Sequence, residues 1–319
     1  MSVDRVTTAS QSAYFLSQIE RVGSALDTTQ QQIASGVNST TYAGFGNQAQ
    51  TLTATLAANA RNSAYTTATN LAATQVSIQD TQLTSLSSLA AQLQQAISEA
   101  VANNDAQSLM TQAQNIFEQA QTILNTKDAN GDYIYSGGKT DTPPVTVSSL
   151  SALEALPSVS GAFANGNLQK SVEIADGVNV NYGIAASDVA TGLMQALKDI
   201  ANFDAGANGN LNAATSLSSA QNTFLTNEIS AANIVNNNLN QATAANGYVA
   251  NQLSDAQSQQ SSMDTLYKGF ASTIQDTNMA QAATDLSLNQ TQLQAALQVT
   301  AGLHKLSLLN YLPAASTIG

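Results

Sequence analysis

The sequence predicts a mainly α fold: a long antiparallel coiled-coil helical bundle built from both termini, with a small α+β domain inserted between them. Three observations predict it. First, helix breakers collect in the middle. No Gly or Pro lies between Gly46 and Gly131, Gly209 is followed by no glycine until Gly247, and the only prolines are Pro143, Pro144, Pro157 and Pro313. An interior proline breaks a helix, so both flanks are free to run long. Second, apolar residues in the flanks recur at heptad spacing. Third, a central stretch alternates apolar and polar residues around a turn dipeptide.

At the N-terminal flank, Ile19, Val22, Leu26 and Ile33 stand three, four and seven residues apart, with Thr29 in the missing step. This spacing predicts a helix from about Ser10 to Gly36, where glycine suits a cap with positive φ. A second run joins Leu83, Leu86, Ala90, Leu93, Ile97 and Ala100, and a third joins Leu109, Ala113, Ile116, Ala120 and Ile123. Toward the other end, Ala242, Val249, Ala256, Met263 and Phe270 recur every seven residues, as do Leu286, Leu293 and Thr300, with Leu297 and Leu303 beside them. Sustained seven-residue spacing points to coiled-coil packing.

In the middle, Val172, Ile174, Val178, Val180 and Tyr182 alternate around Asp176-Gly177, which predicts a β-hairpin. Val145 and Val147 suggest a further short strand, and Val189, Leu193, Leu197 and Ile200 a helix over 187–202. The organisation expected is a terminal coiled-coil inner core from 1–44 and 284–319, a helical-bundle domain from 45–140 and 211–283, and an α+β insert at 141–210.

Composition narrows the function. The net charge is −12 over 319 residues, so nucleic acid and anionic lipid are repelled. Cysteine is absent, which excludes disulfides and thiolate metal sites. The N-terminal residues Met1 to Thr7 lack the apolar core of a cleaved signal, and no window reaches membrane-spanning length.

The candidate chemistry is thin. His304 is the sole histidine and stands beside Lys305, so no H-E-x-x-H zinc site can form. Asp128-Ala129-Asn130-Gly131-Asp132 opens like a calcium loop, but Tyr133 and Lys139 occupy the positions that need Gly and Glu. A polar turn is the better reading. No catalytic residue, metal or cofactor is expected.

The ends of the chain resemble the flagellin family. Arg5-Val6-Thr7-Thr8-Ala9-Ser10-Gln11, continued by Gln30-Gln31-Gln32-Ile33-Ala34-Ser35-Gly36, is similar to that family's first terminal helix. Ile274-Gln275-Asp276-Thr277-Asn278-Met279-Ala280 is similar to its I-x-D-x-D/N-x-A element. Two further segments resemble the hook–filament junction type, the flagellin-like hook-associated proteins. These are Tyr133-Ile134-Tyr135-Ser136-Gly137-Gly138-Lys139-Thr140 and the run Leu306-Ser307-Leu308-Leu309-Asn310-Tyr311-Leu312. Between Val37 and Gly46 the acidic turn usual in filament flagellins is missing.

The resemblance implies a structural, non-enzymatic subunit of the bacterial flagellum. It implies extracellular placement by type III export without a cleaved signal, and an insert that faces outward. The implied partners are the hook-side junction protein, flagellin, further copies of the chain and a flagellar export chaperone. A filament-forming flagellin and a surface ligand-binding module using the insert are the alternatives. The expected assembly interface comprises Ile19, Val22, Leu26 and Ile33, with Leu286, Leu293, Leu297, Leu303, Leu306, Leu309 and Leu312. Burying a leucine contributes roughly 1.5–3 kcal/mol, and ordering a residue costs about 1–2 kcal/mol. Two lone helices are therefore marginal, and neighbours are needed to cover their remaining faces.

Overall fold

The computed structural model describes residues 3–309, the side chains of 3–9, 12 and 303–309 excepted. It is mainly α. The helices are α1 (Val3–Ser35), α2 (Ala49–Asn103), α3 (Leu109–Leu124), α4 (Leu150–Glu154), α5 (Ala186–Ala205), α6 (Ser219–Gln275) and α7 (Met279–Leu309). Two strands, β1 (Lys170–Ala175) and β2 (Val178–Tyr182), pair in an antiparallel sheet. The chain divides into two compact units, one from Met1–Ala60 and Asp264–Gly319, the other from Arg61–Met263.

The second unit holds the larger apolar core. From α2, Leu83, Leu86, Leu93 and Ile97 are fully buried at heptad spacing. They meet Leu109, Ile116 and Phe117 of α3 and Leu193, Leu197 and Ile200 of α5 in one cluster. The 141–210 stretch shares this cluster through Val145, Leu150, Leu153 and Val159. Phe203 of α5 stacks on Phe224 of α6, ring centroids 4.0 Å apart.

The expected helix at 187–202 is α5, and the two apolar runs at 83–100 and 109–123 fall in α2 and α3. What the runs did not reveal is that α2 starts at Ala49, well before its first apolar stripe. Residues 49–82 are rich in Ala, Gln and Thr and hold no glycine or proline, so alanine propensity and freedom from breakers carry the helix there. Likewise α1 starts at Val3 rather than near Ser10. It ends as expected at Gly36, which takes φ +74.

Val145 and Val147 form no strand. Val145 makes an isolated bridge with Phe163, and the Val145 and Val147 backbone groups are taken by Gln121 of α3 and by Asn125 just past its end. Asn125 accepts from the Val145 N–H and donates to its carbonyl, both at 2.9 Å, and Gln121 donates to the Val147 carbonyl at 2.6 Å. With its polar groups satisfied by Gln121, Asn125 and the Phe163 bridge, the segment has no need of a sheet partner.

The hairpin forms at the predicted turn. Gly177 adopts φ +71, Val172 faces Val180 across the ladder, and the register shifts between Glu173 and Ala175. Asp128 forms a polar turn, its carboxylate accepting the backbone N–H groups of Asn130 and Asp132.

The Tyr133–Thr140 segment locks into the core. Tyr135 and Ser136 are fully buried, and the Tyr135 carbonyl accepts from Ala186 N at the start of α5. Gly137 and Gly166 approach back to back: a Cβ on Gly137 would stand 2.0 Å from the Gly166 carbonyl oxygen. Only glycine fits there.

Candidate assembly interface

The first unit is organised by α1 packing against α7. On α1, Val22 and Thr29 are buried and Ile19, Leu26 and Ile33 half-buried. On α7, Ala282 is buried and Leu286, Leu293 and Thr300 half-buried. Asn289 of α7 donates to Thr29 Oγ1 at 3.5 Å, which explains why a polar residue fills the heptad gap in α1. Ile19, Val22, Leu26 and Ile33 of α1 and Leu286 and Leu293 of α7 are thus at least half-buried in this helix pair.

The helices are antiparallel because the end of α1 is tied to the start of α7. Val37 bridges Asp276, Asn38 N donates to the Gln275 carbonyl at 2.7 Å, and Thr277 N donates to the Gly36 carbonyl at 2.9 Å. The Asn38 amide also donates to the carbonyls of Ile274 and Asp276, at 3.0 and 3.1 Å. Asp276 accepts the Ser272 hydroxyl. Asn278 caps α7, accepting from Gln281 N at 3.2 Å. Only this half of a capping box is made, because the Gln281 amide donates forward to Asp285 at 2.9 Å. The Ile274–Ala280 element is therefore a corner: it stops α6, turns the chain and starts α7. Asn38 and Asn278 do not figure in the expected interface, although the N-x-x-Q spacing marks the cap in sequence.

Other predicted residues lie elsewhere. Leu297 is 50% exposed, on the flank of the seam. Leu288 and Val299, which no stripe singled out, are 53% and 47% exposed. Eleven residues apart is close to three helical turns, so they share a face well away from Leu293. Tyr14 and Leu16 of α1 are also exposed. Leu303, Leu306 and Leu309 continue α7, but their side chains lie outside the described residues, as does the side chain of His304; Leu312 lies outside them altogether. The stripe Ala242–Val249–Ala256 faces inward, yet Met263 and Phe270 at the same spacing are exposed. The most buried face of α6 is a neighbouring heptad set, Leu239, Asn246, Leu253 and Gln260, three residues out of register with that stripe.

The seam is thin. On α1 and α7, among the described side chains, only Val22, Thr29 and Ala282 are buried, while Tyr14, Leu16, Leu288, Leu297 and Val299 present apolar surface to solvent. Such a pair gains little from its own packing and has apolar surface left over for neighbours.

Comparison with known proteins agrees with this architecture. Residues 229–312 match the bacterial flagellin C-terminal helical region. A flagellar hook-associated protein of Vibrio parahaemolyticus is similar in structure, with a TM-score of 0.58 and 17% identity over 71% of this chain and 96% of its own. FlgL of Bacillus cereus is similar with a TM-score of 0.51 and 14% identity, over 69% of this chain and 98% of its own. No curated protein sequence matches significantly. Residues 229–312 are thus similar to the flagellin C-terminal helical region, and the chain shares the fold of these two flagellar structures.

Proposed function

We propose that the chain is a structural subunit of the bacterial flagellum, placed at the junction of hook and filament and held there by its terminal helix pair. The observation that carries this reading is the half-buried α1–α7 seam with exposed Leu288, Leu297 and Val299 beside it. Helices from neighbouring copies supply the missing contacts, so α1 and α7 gain most of their order on assembly. The partners are further copies of the chain, a hook-side junction protein, flagellin and an export chaperone. The protein acts outside the cell. No helix among the described residues is long and apolar enough to cross a membrane.

Labelled protein on intact flagella tests the position. A single band at the filament base is expected; label along the filament length refutes the junction and favours a filament subunit. Deleting the chain should release flagellin monomers without attached filament, and normal filament numbers would refute the role. The variant Leu297→Asp tests the surface. It places a carboxylate at a half-exposed site, which a lone chain tolerates, but buries it unpaired in the assembly at a cost of several kcal/mol. Normal export with loss of incorporation is expected, and normal incorporation would move the interface elsewhere.

A further inference from the structure

The β-hairpin lies across α2 and α6 where the positions buried between those helices are largely polar. Between Leu83 and Ile97 the helices meet through apolar side chains. Between residues 61 and 79 of α2 the buried positions are largely polar: Asn62, Thr69, Gln75 and Gln79, opposite Asn246 and Gln260 of α6. Their needs are incompletely met. Neither amide atom of Gln79, which is fully buried, has a partner, nor does Gln75 Nε2 or Gln260 Oε1. A partly satisfied polar seam is weak, since each unpaired buried group loses its hydration without return.

The hairpin supplies what this stretch lacks. The apolar cluster here has five buried members: Ala72, Val76 and Leu253 from the helices, and Val172 and Val180 from the hairpin. Hydrogen bonds sit around it. Gln260 Nε2 donates both to Thr69 Oγ1 at 2.9 Å and to the Ile174 carbonyl at 2.8 Å, so one amide joins α2, α6 and β1. Lys170 Nζ donates to Gln75 Oε1 at 3.2 Å, and the Tyr65 hydroxyl to Asp176 at 3.1 Å. The outer positions Ser171, Glu173, Asn179 and Asn181 are exposed and polar, so the hairpin is seated by one face only.

We propose that the hairpin is a releasable strap: seated, it holds α2 and α6 together across their polar stretch, and its release is the first opening of the Arg61–Met263 unit. Without Val172 and Val180 the cluster keeps Ala72, Val76 and Leu253 as its buried members, and Gln260 loses its β1 partner. The helices then part over 61–79 and 246–260 while the 83–97 stretch stays packed. The long helix pair thus has a compliant section next to a rigid one.

Native-state amide hydrogen exchange on the full chain tests this with Val172→Ser/Val180→Ser. Peptides covering 62–76 and 246–260 should exchange at least about tenfold faster, and those covering 83–97 at the wild-type rate. Acceleration confined to the hairpin overturns the strap, and so does equal acceleration in every peptide. Should the double variant fail to fold, Val180→Ala should give the same ranking of peptides with a smaller, roughly threefold, change. Peptides 62–76 and 246–260 of Val180→Ala exchanging at the wild-type rate, or no faster than those covering 83–97, overturn the proposal equally.

Discussion

Glu228 makes stability fall as pH rises, and Glu228→Gln should abolish that fall. The residue is on α6, only 9% exposed, and its Oε2 has no hydrogen-bond partner. Asp199 of α5 adds a like charge nearby, itself held by the Gln195 amide at 2.8 Å. Burial first, then Asp199, pushes the Glu228 carboxyl from 4.5 up to about 7. The folded protein therefore holds this proton more tightly than the unfolded chain does. Stability is greatest below the unfolded value of 4.5 and declines through the window up to about 7, above which a buried charge is fully carried. At ~1.4 kcal/mol per tenfold, the difference amounts to about 3 kcal/mol. Glutamine mimics the protonated acid at every pH. Chemical unfolding followed by circular dichroism should show Glu228→Gln more stable than wild type by about 2–3 kcal/mol at pH 8.5, and by well under ~1 kcal/mol at pH 4.5. An equal gain at both pH values, or none at pH 8.5, would refute the reasoning.

Two further substitutions probe the second unit. Lys198 is buried, and its ammonium donates to the carbonyls of Leu153, Glu154 and Leu156 at 3.1, 2.5 and 2.6 Å, closing the end of α4. Lys198→Met keeps the stem and strands the carbonyls, so a loss of about 2–3 kcal/mol is expected in the denaturant midpoint; no loss would show that water serves them as well. Gly137→Ala should cost more than about 3 kcal/mol, because φ is +58 and the new Cβ would strike Gly166. Gly131→Ala, at φ +88 but in open space, should cost only about 1 kcal/mol. Equal losses measured by thermal unfolding would mean that the close approach of the two glycines carries no weight.

Much of this molecule follows from local pattern. The Asp176-Gly177 turn, the alternation on either side of it and the heptads of α1 and α7 are properties of neighbours in sequence, and each produced the element expected. The C-terminal resemblance to flagellin coincides with the family match over residues 229–312. The harder cases involve polar residues. Asn38, Asn246, Gln260, Lys198 and Glu228 look alike in a chain rich in amides, yet one ties a corner, two cross a helix seam, one closes a helix and one is a strained acid. A hydrophobic side chain declares its burial through periodicity, because the solvent-averse face repeats with the backbone. A polar side chain has no such period: its role depends on which partner the fold brings within 3 Å, often from more than a hundred residues away. That is why Met263 and Phe270, read as a stripe, lie exposed while Gln260 lies buried. The apolar stripes of α1, α2, α3 and α7 and the hairpin were written in periodicity, and the first turns of α2 in alanine propensity; the corner, the strap and the buried acid were decided by tertiary proximity.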